Sequence, residues 1–104
     1  MRVVYKEVGK VGEIREIEGT LAEFQEMCGG WIETLPLPAD MVMLVNEEGK
    51  LKDLEPNIIV RVNNRVETIV GNVVVVSVKP HDGDFHGLED NQIGLLLSTV
   101  LFEE

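Results

Sequence analysis

The sequence holds little of what usually announces a function. There is one cysteine in 104 residues, which excludes an intramolecular disulfide and a cysteine-built zinc site and makes a reducing, cytoplasmic setting the expectation. No apolar run approaches the roughly 20 residues needed to span a bilayer. The opening Met1-Arg2-Val3-Val4-Tyr5-Lys6 lacks the apolar stretch of a secretory signal, so neither export nor a membrane anchor is expected. Basic residues are scarce, nine Lys and Arg against 19 Asp and Glu, for a formal charge of −10. Such a charge repels phosphate backbones and argues against direct binding of DNA or RNA. Gly-x-Gly-x-x-Gly, a phosphate-loop lysine, a nucleophile elbow and His-Glu-x-x-His are all missing. Ser77 lies in a valine run and reads as structural, and nineteen carboxylates single out no acid–base pair. No catalysis and no cofactor are expected.

What is present is enough for a core. Apolar residues make up 44% of the chain, and a chain of this length buries roughly 65% of its unfolded surface, so a single domain over 1–104 is expected. The charge is unevenly placed. Residues 1–18 balance four basic against four acidic groups, whereas 19–57 carry eight acidic and two basic, net −6. Residues 58–80 are weakly basic at +2, and 81–104 carry six acidic groups and no basic one. This pattern reads either as a solvated face that keeps the protein soluble or as an electronegative face that meets a basic partner.

The pattern of apolar residues predicts an α+β domain, with a mostly antiparallel sheet of about five to six short strands and two helices packed on it. Val3-Val4-Tyr5 opens a strand, and a glycine turn between Gly9 and Gly12 leads to a second over 13–18. Thr20 and Glu23 form a capping box at the start of a helix over 20–28, whose stripe is Leu21, Phe24, Met27 and Cys28 and whose stop is Gly29-Gly30. Cys28 on that stripe reads as a small core residue. Trp31 to Leu35 reads as a strand ended by Pro36 and Pro38, with Trp31 half-buried; Met41 to Val45 is another, followed by a turn at 46–49. Pro56-Asn57 is expected to break the chain before a strand over 58–62, a turn at Asn63-Asn64 and a short strand over 66–70. Val73-Val74-Val75-Val76-Ser77-Val78 shows no alternation and predicts a central strand covered on both faces. A second capping box, with Glu89 and Gln92 and a staple of Leu88 on Ile93, starts a helix over 89–101 whose inward stripe is Ile93, Leu96, Leu97, Val100 and Leu101.

Few residues suggest chemistry. His81-Asp82-Gly83-Asp84-Phe85-His86 gathers two imidazoles and two carboxylates, but Ile93 stands where a calcium loop needs its bidentate glutamate, and Asp-Gly is a common tight turn. No metal is expected. Trp31, the one tryptophan, is read as core or as a stacking platform. Asn46 and Asn57 are read as turn residues that bond their own backbone, or as amides that meet a ligand edge.

Several strings then occur in order: Glu-Gly-Thr-Leu-x-x-x-Gln-Glu (18–26), Gly-Gly-Trp-Ile-Glu (29–33), Asn-Glu-Glu-Gly-Lys-Leu (46–51), Leu-x-Pro-Asn (54–57), Gly-x-Val-Val-Val (71–75) and Asp-Gly-Asp-Phe (82–85). Together they resemble a family of small uncharacterised domains carried by bacteriophages, plasmids and other mobile elements, many from gut bacteria. Trp31 stands where the resemblance leads one to expect tyrosine, and Ile58 where it leads one to expect arginine. The resemblance implies counter-defence. The first class of function is a stoichiometric anti-defence inhibitor, of a CRISPR nuclease or another nucleic-acid-binding defence protein, whose carboxylates Glu47, Glu48, Asp53 and Glu55 take the place of phosphates in a basic groove. The second is a small-ligand binder that sequesters a nucleotide immune signal through Trp31, Asn46, Asn57, Lys50, Lys52 or Arg61. An accessory or regulatory protein of a mobile element is the third. A second copy of the chain is left open as a further partner.

Overall fold

The protein is described as a computed structural model over residues 1–62 and 64–98. Along the chain run β1 (Arg2–Lys6), β2 (Glu13–Glu16), α1 (Leu21–Cys28), β3 (Ile32–Leu37), β4 (Met41–Asn46), β5 (Pro56–Val62), β6 (Arg65–Val70), β7 (Val73–Val78), β8 (Phe85–His86) and α2 (Asp90–Leu97). Six strands form one sheet in the order β2-β1-β7-β4-β3, with β8 also on β7, and β5 and β6 form a separate hairpin. Every pairing is antiparallel. The α+β architecture read from the sequence is the one observed.

The valine run explains the layering. Val73, Val74, Val75 and Val76 are all fully buried, because β7 lies between β1 and β4 and each of its faces is covered. Val73 and Val75 pack with Val4, Met43 and Val45, beneath Ile58, Val60 and Ile69 of the hairpin and Ile93 and Leu96 of α2. Val74 and Val76 pack with Val3, Tyr5 and Leu44 beneath Phe24 and Cys28 of α1. Burying such a side chain contributes roughly 1.5–3 kcal/mol relative to exposure. A two-sided strand therefore tolerates no polar alternation, and the sequence shows none.

Both helix starts follow the sequence. Thr20 Oγ1 accepts the Glu23 amide at 3.2 Å, and the Glu23 carboxylate accepts the Thr20 and Gly19 amides at 3.1 and 2.8 Å. At the other end Gly29 adopts φ 81°, and the Gly29 and Gly30 amides close back on Glu26 and Gln25, which is the glycine-dependent Schellman stop. Ahead of α2 the Gln92 side-chain oxygen accepts the Glu89 amide at 2.9 Å, and Leu88 and Ile93 share one cluster as a staple would. The amide nitrogen of Gln92 then donates to Ala39 O at 2.8 Å and Ser77 Oγ at 3.0 Å. A buried glutamine thus ties α2 to the β3–β4 turn and to β7.

Several expectations are corrected. Pro36 does not end β3, which runs through Leu37. Trp31 O accepts from Glu47 N, and Pro36 stands opposite Val42 in the same register; odd positions therefore bond β4, and the missing Pro36 N–H falls on the open edge, where it costs no ladder bond. Pro56-Asn57 does not break the chain either. Pro56 pairs Val70 and Ile58 pairs Ile69, leaving Asn57 as the extra residue of a β-bulge. Asn46 and Asn57 consequently lie in strands rather than turns. Leu21 and Leu97, read as inward, are 57% and 52% exposed, so each described helix buries a narrower stripe than its pattern suggested. Asn63, Val100 and Leu101, which the predicted turn and second helix include, lie outside the described residues.

Candidate partner-binding surface

Trp31 is 65% exposed, which overturns its reading as a half-buried core residue. It sits between the glycine stop of α1 and the first residue of β3, at the end of the β3–β4 ladder, and neither apolar cluster includes it. Its carbonyl accepts the Glu47 amide at 2.8 Å, which fixes it beside the loop over 47–55. On that loop Leu51 is 85% exposed, and Glu47, Glu48, Lys50, Lys52, Asp53 and Glu55 are exposed as well. The loop is not slack, since the amides of Lys52, Asp53 and Leu54 donate to the carbonyls of Glu48, Lys50 and Gly49. A Cβ at Gly30 would meet Lys52 Nζ and Asn46 Nδ2, each at 3.2 Å, so this lysine lies against the segment that carries Trp31.

The carboxylates here are uncompensated. Ion pairs among the described residues join Glu16 to the N-terminus, Asp90 to Arg2, Glu7 and Glu13 to Lys10 and Arg15, and Asp82 to His81 and His86. None involves Glu26, Glu33, Asp40, Glu47, Glu48, Asp53 or Glu55, all of which are exposed. Four of these carboxylates, Glu47, Glu48, Asp53 and Glu55, lie on the 47–55 loop that carries the exposed Leu51 and whose first amide bonds the Trp31 carbonyl.

The two asparagines belong to the fold. Asn46 is buried, donating to Cys28 O at 3.0 Å and accepting the Glu48 amide at 2.8 Å. Asn57 donates from its bulge to Lys6 O at 2.9 Å and Gly71 O at 2.8 Å, stapling the hairpin to β1. Each amide nitrogen donates to a backbone carbonyl, while Asn57 Oδ1 has no hydrogen-bond partner among the described residues. Arg61 stands on the hairpin opposite Val66, on a different sheet from Trp31.

A recess of about 160 Å³ lies between the β3–β4 face and β6, with Glu33, Val45, Glu47, Lys50, Glu67 and Ile69 among its lining. Sequence reading missed Glu33 and Glu67, because their convergence depends on the hairpin folding back over β4. A larger recess of about 400 Å³ lies under the β1–β2 turn, but its charges, Glu7, Lys10 and Glu13, already pair with one another or with Arg15.

Elsewhere the reactive groups are quenched. Burial pushes the Cys28 thiol up to about 12, and its Sγ faces Leu44 O at 3.5 Å, so it is a core residue as read. The Asp84 amide, and then the His86 ring, hold the Asp82 carboxyl below its usual range; Asp82 thus organises the turn before β8. Among the described residues no group of three or more His, Cys, Asp or Glu side chains is arranged to hold a metal ion.

An antiparallel sheet sheathed by a helix on one side and a hairpin plus a helix on the other defines a small α+β domain. The chain belongs to the family described as Domain of unknown function (DUF3846), whose model matches residues 1–101. No curated protein and no solved structure matched the chain.

Proposed function

We propose that this domain acts by stoichiometric binding rather than catalysis. Its acidic surface around Trp31 occupies the basic groove of a nucleic-acid-binding partner, in the service of counter-defence by a bacteriophage or another mobile element against a CRISPR nuclease or a similar defence protein. The observation that carries the reading is the set of exposed carboxylates at Glu47, Glu48, Asp53 and Glu55, none of them in an ion pair among the described residues, on the loop that bonds the backbone of Trp31, itself 65% exposed. Unpaired carboxylates lose no internal partner when they meet a cation, and an exposed tryptophan within a charged rim is the composition of an interface anchor. The reading is preferred to the sequestering alternative because the amide nitrogens of Asn46 and Asn57 donate to backbone carbonyls. The recess beside Lys50 holds about 160 Å³, against roughly 300–1,000 Å³ for small-molecule sites.

The test is capture of partners from a lysate that contains bacterial defence systems, followed by competition with nucleic acid. A captured nuclease subunit that nucleic acid displaces, with association slowing steeply as salt rises, supports the proposal. Glu47→Gln, Glu48→Gln, Asp53→Asn and Glu55→Gln together should weaken that binding with the fold retained. A nucleotide released on denaturation, whose retention is abolished by Trp31→Ala and untouched by the acidic substitutions, would overturn it in favour of the alternative.

A further inference from the structure

The recess between the β3–β4 face and β6 combines three features that no single element contains. Its floor includes Val45 and Ile69, 4% and 5% exposed and part of the core beneath the hairpin. Its rim carries Glu33 from β3, Glu47 from the following loop and Glu67 from β6. Lys50 shares the lining but makes no ion pair with any of these three carboxylates, so three negative groups face one positive one.

We propose that this recess receives an arginine side chain of the basic partner, its methylenes on Val45 and Ile69 and its guanidinium among Glu33, Glu47 and Glu67. The inference rests on the binding reading above and names the contact through which it works. Volume decides the size of occupant: at about 160 Å³ the recess falls short of the roughly 300–1,000 Å³ of small-molecule sites, which suits one long side chain rather than a nucleotide. Charge decides the sign. Arginine is favoured over lysine because carboxylates on three separate elements surround the space, and a planar fork of donors can address several acceptors at once, whereas an ammonium is a compact point charge that holds its water more strongly.

The experiment is amide-resolved NMR titration of the whole chain with N-acetyl-arginine amide, with the citrulline analogue as neutral isostere and the lysine analogue as the second cation. Saturable shifts at Glu33, Val45, Glu67 and Ile69 with arginine, none with citrulline and weaker ones with lysine are expected. Glu33→Gln with Glu67→Gln should reduce arginine affinity at least about tenfold, the loss of one or more charge-assisted hydrogen bonds. Both residues are exposed and in no ion pair among the described residues, so the rest of the spectrum stays in place. Lys50→Ala should tighten binding. Equal responses to arginine and citrulline, a stronger response to lysine, shifts spread over Glu13, Glu16 and Glu89, or weaker binding in Lys50→Ala would each overturn the proposal. If a basic partner is captured and the Glu33, Glu67 variant binds it unchanged, the recess fails and the binding reading stands; if arginine amide binds as described and no partner is captured, the reverse holds.

Discussion

The Trp31 carbonyl accepts the Glu47 amide at 2.8 Å, and through that bond the only tryptophan of the chain is anchored by its backbone while its ring stays in solvent. The backbone of Trp31 serves the sheet, extending the β3–β4 ladder by one pair, and the side chain serves nothing in the core.

Trp31→Ala should therefore leave the fold alone and impair binding. Surface substitutions away from packed features change stability by less than about 0.5 kcal/mol, whereas truncating a central aromatic anchor costs an interface about 2 kcal/mol or more. Denaturant midpoints and affinity for the captured partner separate the two. A large fall in midpoint would mean that the indole packs on the fold after all.

Gln92 makes the opposite case, a polar side chain whose value lies entirely inside the fold. It is 5% exposed and bonds Glu89, Ala39 and Ser77. Gln92→Leu removes these bonds, leaving Ser77 Oγ only its 3.4 Å bond to Asp40 O, and the loss of several intramolecular hydrogen bonds at about 0.5–1.5 kcal/mol each sums to roughly 1–3 kcal/mol. Urea denaturation should show a loss of that order, with Asn91→Leu, at an exposed neighbouring position, close to wild type. Equal midpoints for the two variants would contradict the network.

Cys28 should be silent to thiol reagents in the native protein. Its pKa stands near 12, raised by burial, so almost no thiolate exists at neutral pH, and its 2% exposure denies access. Labelling with a disulfide reagent should proceed at the rate of local or global opening and become immediate in denaturant. Rapid native labelling would show that the end of α1 opens far more readily than its Schellman stop implies.

Much of this fold was legible because its devices are local. The Thr20–Glu23 box, the Gly29-Gly30 stop and the two-sided Val73–Val78 strand each depend on residues within a few positions of one another. The misreadings share a different cause. Pro36 and Pro56 look like breakers in the sequence, but their cost depends on whether a neighbour strand needs the missing N–H, and that is a property of sheet order. Trp31 reads as a half-buried strand residue after Gly29-Gly30, yet it stands at the outer end of the β3–β4 ladder, where neither apolar cluster reaches it. The recess was invisible for the same reason: Glu33 and Glu67 are separated by 34 positions and meet only through the packing of β6 over β4.

Acid should loosen the start of α1. The Thr20 amide, and then those of Gly19 and Glu18, bond the Glu23 carboxylate and hold it below its usual range. A depressed carboxyl stabilises the fold above its unfolded value, and that contribution is lost as pH falls through the folded one. In Glu23→Gln the acid limb of the stability curve should flatten, while at neutral pH Thr20→Ala, which removes the other half of the box, should cost about 1 kcal/mol. An acid limb unchanged by Glu23→Gln would assign the loss to other carboxylates, Asp82 first, since its carboxyl is likewise depressed by the Asp84 amide.

Lys6 is the least expected residue of the interior. It is 1% exposed, its ammonium donates to Glu7 O at 3.1 Å, and no carboxylate pairs with it among the described residues. Nearby, Asn57 bonds the Lys6 carbonyl through its amide nitrogen while its Oδ1 is buried without a partner among the described residues. A cation held by one carbonyl recovers little of its lost hydration, and methionine matches the length of the stem while asking for no hydrogen bond. Lys6→Met should accordingly raise stability by about 1–3 kcal/mol, the desolvation cost of a poorly satisfied polar group. Asn57→Ala should lower it by a similar amount, because the Lys6 and Gly71 carbonyls lose their shared donor. Denaturant unfolding of the two variants measures both signs, and a Lys6→Met protein weaker than wild type would mean that the ammonium is held by more than the Glu7 carbonyl.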